Sequence, residues 1–379
     1  MIVHKFLRCV NPATACSQPG SAGLGFVDSP MPDQPNASPW FDAHLDLAFL
    51  AETGRDMHVE PEQSRGRYQP AAVTFPSLIE GNVAQMLATV FTEAVEHPEK
   101  PGSETGAFAY PLGSRDAAYV SGMRQLKLYH AWQDAGVFSL PNRTPAADIE
   151  SQPMVRAGVL IENADPITDP DDLEQWVAGG VVAIGMTWMS PGHYAHGNSV
   201  PSESSNSGIT EAGRALVKNM DTLGVVHDAS HLNDRSLADL FEATDSRIIA
   251  SHSNCRALLD GENQRHLTDD AIKEITRRDG VIGLNVCSAF LDQKCWESGR
   301  ATIDDCVRHI ERICEIAGHR CCVGLGSDMD GGFTADKLPE EISLPRDFEL
   351  IANALRGRGW PDSDIEGFRS GNWNRVFSL

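Results

Sequence analysis

The chain has 379 residues, 41% hydrophobic and 22% charged, which is enough apolar material for a large soluble core and a length that one α/β barrel can fill. Its 53 acidic against 31 basic residues give a net charge of −22, a surface that repels phosphate backbones and anionic bilayers and argues against nucleic acid or membrane as partners. The nine cysteines include the adjacent Cys321 and Cys322 but no CxxC pair; they read as mostly buried thiols of a reducing compartment, so a cytoplasmic location is expected.

Residues 1–38 are rich in Pro, Gly, Ser and Ala without a period, and read as an irregular N-terminal extension. Their first ten residues are interrupted by His4, Lys5 and Arg8, unlike a signal peptide. A single domain is expected over 39–379. Its first apolar run, WFDAHLDLAF, carries Asp42, His44 and Asp46 at every second position. As a strand it would set these three on one face and Ala43, Leu45 and Leu47 on the other, which suits either a wet sheet surface or a site. AQMLATVFTEA follows as a second strand. Near 95–150 the rhythm breaks into a long loop, HPEKPGSETGAFAYPLGSRD, and a helix containing YVSGMRQLKLYHAWQDAG, read as an insertion.

Further along, VRAGVLIEN, VVAIGMTW, GVVHDASH, RIIASHSN, GVIGLNVCSAF and CCVGLGSDMDGG make eight candidate strands in all. Helical patterns such as GITEAGRALVKNMDTLG, SLADLFEAT, TDDAIKEITRRDG and TIDDCVRHIERICEIAG separate most of them. Thr268 before two aspartates is an N-cap signal, and Gly318 suits a helix end. Near-continuously apolar strands alternating with helices predict a parallel (β/α)8 TIM barrel. VAGGVVAIGMTWM is too short to span a bilayer. No GxSxG elbow is present, and the GxG of GLGSD opens no phosphate-binding helix pattern.

Most of the apolar runs end in a residue able to bind a metal or move a proton. The first ends in His44 and Asp46, the third in Glu162, the fifth in His231, the sixth in His252 and the eighth in Asp328. In a (β/α)8 barrel the C-terminal strand ends converge on one mouth, where active sites lie. A lone histidine at a strand end is ordinarily hydrogen-bonded structure. Six such groups at the ends of one barrel's strands instead suggest an imidazole and carboxylate site for zinc or a similar divalent ion.

These stretches also carry a resemblance. HLD in the first run, IEN in VLIENADPI, HDASHLND, ASHSNCRAL, QRHLTDDAI, VGLGSDMDGG and the closing GNWNRVF, in this order from about Trp40 to Phe377, resemble the membrane (renal) dipeptidase family of binuclear zinc peptidases. That resemblance implies a barrel of the metal-dependent hydrolase type and hydrolysis of dipeptides by a hydroxide bridging two metal ions. His44 and Asp46 would bind one Zn2+, His231 and His252 the second, and Glu162 both; Mn2+, Co2+ or Fe2+ can share such ligands. Asp328 would move the proton from the water to the leaving amine. Arg265 would clamp the substrate's C-terminal carboxylate, where the reading from the residues alone is a surface salt bridge at a helix start. The family also suggests a homodimer.

Three positions depart from the family's mammalian pattern. Trp188 stands where those members carry a histidine that contacts the substrate carbonyl, with His193 and His196 downstream as candidate replacements. Cys287 stands near a substrate-contacting tyrosine position and reads as a packing residue, and His266 follows Arg265 where asparagine is frequent. Asp228 and Asp330 read as hydrogen-bond partners of metal-bound histidines. Two alternatives stay open: a binuclear hydrolase of the same barrel acting on another amide, ester or lactone, and a metal-binding scaffold without turnover.

Overall fold

The computed structural model describes residues 38–95, 109–145, 155–204, 207–259 and 261–379. The expected extension, apart from Ser38, and two stretches of the expected insertion (96–108 and 146–154) lie outside these residues.

Eight parallel strands are β1 (Trp40–Leu45), β2 (Val83–Val90), β3 (Val155–Ile161), β4 (Val181–Gly185), β5 (Val226–Asp228), β6 (Ile248–Ile249), β7 (Ile282–Leu284) and β8 (Val323–Leu325). They pair in the order β7-β8-β1-β2-β3-β4-β5-β6. A parallel bridge from Ala250 to Ile282 joins the two ends, with the Gly283 N–H donating to the Ala250 carbonyl at 2.8 Å. The expected TIM barrel is therefore the observed one. Several strands are shorter than their apolar runs, because the chain stays buried while turning into the mouth loops. Within GVIGLNVCSAF only Ile282–Leu284 is strand, and Ser288–Leu291 is a turn of helix.

The crossover from β1 to β2 holds the short helices Leu47–Glu52 and Phe75–Glu80. The later crossovers hold α1 (Arg115–Asp134), α2 (Leu173–Ala178), α3 (Glu211–Leu223), α4 (Asp234–Ala243), α5 (Asp269–Arg277) and α6 (Ile303–Ala317), and α7 (Phe348–Gly357) follows β8. Local chemistry sets their ends. The Thr268 hydroxyl accepts from the Ala271 N–H at 3.1 Å, capping α5. Gly318 takes the left-handed conformation after α6 and returns its N–H to the Cys314 carbonyl. On α6, Cys306, Val307, Ile310, Ile313 and Cys314 form the buried stripe that packs on the barrel.

Inside the barrel, Phe41, Ala43, Leu87, Leu160, Ala183, Ile249 and Val281 form one buried cluster with Trp373 and Phe377. The C-terminal helix Asn372–Val376 closes the end opposite the mouth. Trp373 donates to the Leu325 carbonyl at 2.9 Å, and its indole lies where a Gly324 Cβ would come within 2.3 Å of Nε1. Glycine there is what lets the plug seat.

The expectation that Asp42, His44 and Asp46 share one face needs correcting. Asp42 pairs with Met86 but Leu45 pairs with Ala88, so β1 carries one extra residue between them. Such a bulge re-aims side chains. Asp42 turns to β8, accepting from the Ser327 N–H at 2.8 Å, while His44 and Asp46 go to the mouth.

Candidate metal centre

Each of the six strand-end groups is fixed by the backbone that leaves its strand. His44 is the fifth residue of β1, and Asp46 is the N-cap of the helix that follows. Glu162 is tied by its N–H to the Val90 carbonyl at 3.2 Å. His231 and Asp328 sit in the left-handed region, at φ 68° and 57°. For non-glycine residues that backbone is costly, on the order of 1–3 kcal/mol each, and it persists where the surroundings impose it. Here the His231 carbonyl accepts from Asn198 N and the Asp328 N–H donates to the His44 carbonyl.

All six side chains meet, and all are buried. Glu162 Oε1 lies 3.2 Å from His231 Nε2 and 3.4 Å from His252 Nε2. Its other oxygen, Oε2, lies 3.6 Å from His44 Nε2. Asp46 Oδ1 and Asp328 Oδ1 stand 3.8 Å and 4.0 Å from that same nitrogen. Three overlapping donor groups result, His44–Asp46–Glu162, Glu162–His231–His252 and His44–His252–Asp328.

Hydrogen bonds behind the imidazoles fix which nitrogen is bare. Ser251 Oγ donates to Asp228 Oδ2 at 2.5 Å, which leaves its lone pairs to accept from His252 Nδ1 at 2.7 Å and His44 Nδ1 at 3.3 Å. His231 Nδ1 donates to Asn198 Oδ1 at 3.1 Å. With all three Nδ1 atoms protonated, all three Nε2 lone pairs face the centre. His231 Nε2 and His252 Nε2 are then 3.0 Å apart, and His44 Nε2 is buried with no hydrogen-bond partner. Two facing lone pairs repel unless a cation sits between them.

Electrostatics points the same way. Burial pushes the Glu162 and Asp328 carboxyls up to about 8, and Asp46 to about 6 with Glu162 adding to the effect. Burial also holds His231 and His252 well below the ordinary imidazole range, with Arg265 and His44 assisting. Three carboxyl groups and three imidazoles crowded into one dry cluster are unfavourable alone and become a strong site once a cation is held between them. The donor set fits one or more divalent metal ions.

Arg265 is buried rather than on the surface, so the salt-bridge alternative fails. It donates to Ser253 Oγ at 3.1 Å and to the His252 carbonyl at 2.9 Å, lies over the Phe290 ring at 5.3 Å, and keeps a buried Nε with no partner. The half-buried Trp188 packs edge-on to Phe91 and has its ring centre 6.0 Å from that of His231. His196 Nδ1 is bonded to the Gly208 carbonyl and His193 packs on Tyr194; neither joins the donor cluster. Cys287 is buried.

Two acidic residues differ from expectation. Asp228 reaches the histidine rings through the Ser251 hydroxyl rather than by a direct bond. Asp330 touches no donor histidine: it accepts from Arg55 and from the Ala72 and Val73 N–H groups, bracing the loop after β1. The residues that sequence reasoning missed are Ser251, Asn198, Thr89, which donates to Asp46 Oδ1, and Asn285, which donates to Asp328 Oδ2 at 2.8 Å. Ser251, Asn198 and Asn285 are short polar side chains in loops and Thr89 a lone hydroxyl in β2, and neither leaves a periodic signal that could have found them.

Among solved structures, a metallopeptidase from Rhodobacter sphaeroides bound to a phosphinate mimic of the dipeptide L-Ala-D-Ala superposes with a TM-score of 0.72, at 22% identity over 90% of this chain and 99% of that one. The probable dipeptidase PvdM from Pseudomonas aeruginosa gives 0.70 at 19% identity, over 89% and 94%. Both likenesses are of fold. In sequence, the chain is 25% identical to the dipeptidase aclJ of Aspergillus oryzae over 93% of this chain and 80% of that protein. It is 33% identical to an uncharacterised protein from the pqqA 5′ region of Klebsiella pneumoniae, over 54% and 74%. The family model described as membrane dipeptidase, peptidase family M19, matches residues 35–379, and the chain belongs to that family.

Proposed function

We propose that this protein is a binuclear metal-dependent dipeptidase that cleaves the single peptide bond of a substrate with a free C-terminal carboxylate. One observation carries the reading: Glu162 offers Oε2 toward His44 and Asp46, and Oε1 toward His231 and His252. A carboxylate so placed suits a bridge between two ions, one held by His44 and Asp46 and the other by His231 and His252. Imidazole and carboxylate donors favour zinc and accept manganese, cobalt or iron. When bound, the ions polarise the scissile carbonyl and lower the pKa of water toward neutrality.

Asp328 handles the proton. Asn285 occupies Oδ2, so Oδ1 is the atom that takes a proton from the attacking water and returns it to the leaving amine. Arg265 binds the substrate carboxylate, with the Nε–H as its uncommitted buried donor. Trp188 forms a wall of the substrate site beside His231. The described cysteines are all free thiols, and no described helix is long and apolar enough to cross a membrane.

The test is a panel of L,L- and L,D-dipeptides, their C-terminal amides, N-acyl amino acids and lactones. Each is assayed before chelation, after it, and after zinc is returned. The expected result is dipeptide turnover that chelation abolishes, zinc restores, and C-terminal amidation weakens at least tenfold. Dipeptide turnover that survives both chelation and His252→Ala would sink the metal-centred mechanism. Inert dipeptides beside active lactones would move the assignment to another reaction of the same barrel.

A further inference from the structure

His266 is a polar group that the reaction outlined above leaves without a task. It is 1% exposed, yet neither Nδ1 nor Nε2 has a hydrogen-bond partner. An imidazole always carries at least one N–H, so at least one buried donor is orphaned, which costs free energy unless something else satisfies it.

The ring's position is imposed by its backbone. The His266 N–H donates to the Asn263 carbonyl at 3.1 Å, and its carbonyl accepts from Arg256 Nε at 2.8 Å. Arg256 is itself clamped in a fork to Asp234 at 2.8 and 2.5 Å. Leu267 pairs with Cys255 in a parallel bridge, which folds the segment back over the end of β6 beside His252. Arg265 and His266 share the Phe290 ring: the Arg265 guanidinium lies 5.3 Å from its centre, and the His266 ring meets it edge-on at 5.0 Å. Phe290 is half-buried. Three orphaned buried nitrogens, Arg265 Nε and the two of His266, therefore lie around one aromatic wall.

We infer that His266 is a specificity-determining residue that hydrogen-bonds the side chain of the substrate's C-terminal residue, whose carboxylate Arg265 holds. This rests on the dipeptidase reading. The imidazole stays neutral, since burial and then the Arg265 charge oppose protonation. A neutral ring offers one N–H and one bare nitrogen, so its complement is a group that both donates and accepts: a hydroxyl or a carboxamide. An apolar side chain of the same shape leaves the ring unsatisfied and is discriminated against.

The experiment compares isosteric pairs, Ala-Thr against Ala-Val and Ala-Asn against Ala-Leu, by kcat/KM. It uses the metal-loaded wild type, His266→Leu and His266→Asn, with Tm recorded for each. Wild type is expected to favour the polar member on the order of ten- to a hundredfold. His266→Leu should erase that ratio while keeping Ala-Val and Ala-Leu turnover, and His266→Asn should restore part of it. Equal ratios in wild type and His266→Leu, with dipeptides turned over, overturn the inference alone. If His266→Leu does not fold, His266→Asn decides, because a wild-type enzyme with no polar preference, or an Asn variant with no change, is equally fatal. No turnover of any dipeptide by wild type overturns the dipeptidase reading and this inference with it.

Discussion

Ser251→Ala removes one oxygen and is expected to weaken both halves of the metal centre. In the structure Ser251 Oγ has a full complement of partners: it gives its proton to Asp228 and receives from His252 and His44. Those two histidines belong to different proposed ion sites, so one hydroxyl orients a ligand of each. Loss of an outer-shell partner of this kind lowers metal affinity about 10- to 100-fold, equivalent to ~1.4–2.8 kcal/mol. The His252 bond is the shorter, 2.7 against 3.3 Å, so the ion held by His231 and His252 loses more. Folding stability also falls, by about 1–3 kcal/mol, because the Asp228 Oδ2 atom loses its donor. A competition titration against a chromophoric chelator reads the two dissociation constants, and Tm reads stability separately. Thr268→Ala is the control: it removes the α5 cap, costs ~1 kcal/mol and takes no hydrogen bond from a donor of the metal centre. If Ser251→Ala lowers Tm as the control does but leaves both dissociation constants within threefold of wild type, Ser251 is only structural and the tautomer argument is wrong.

Asp328→Asn should lower kcat by about 10²–10⁴, the range for a positioned acid–base group, while metal content stays that of wild type; a fall below tenfold would remove it as the proton carrier. For the metal-free protein, the depressed His231 and His252 oppose the elevated Glu162 and Asp328 carboxyls below pH ~6.5, and the carboxyls set the pH response above it. Below pH ~4 both folded and unfolded chains carry these protons; above about 8 both lose them and only the folded chain bears the burial penalty. Stability measured in chelator should thus decline from pH ~6.5, above which the histidines are neutral in both states, to about 8, and zinc should flatten that slope; a rise over the same window would contradict it. Gly324→Ala places a methyl against the Trp373 indole and should cost about 1–3 kcal/mol by overpacking, seen as a lower urea midpoint, and an unchanged midpoint would mean the plug is loosely seated.

How much of this could be read from residues alone depends on whether the signal was periodic. The barrel was legible because each strand is an apolar run followed by a helical pattern with its own caps, as at Thr268 and Gly318. The donor residues were legible for the same reason: a polar group ending an apolar run stands out, and the barrel topology brings such ends together. The extra residue in β1 was not legible, since a bulge depends on the register of the neighbouring strand. Asp42 was consequently grouped with His44 and Asp46 when it serves β8. Arg265 could not be told from a surface arginine until the Cys255–Leu267 bridge showed its loop folding onto the mouth. Ser251 and Asn198 fix the histidine tautomers from positions with no pattern at all, and Asp330, adjacent in sequence to the site, serves Arg55.

The most direct test is elemental analysis of protein purified without added metal, beside the same protein carrying Glu162→Gln. The account predicts about two ions per chain, chiefly zinc, with a sharp loss in the variant because both proposed sites share that carboxylate. One ion or none, unchanged by the substitution, would contradict the bridging role of Glu162 and the two-ion centre built on it.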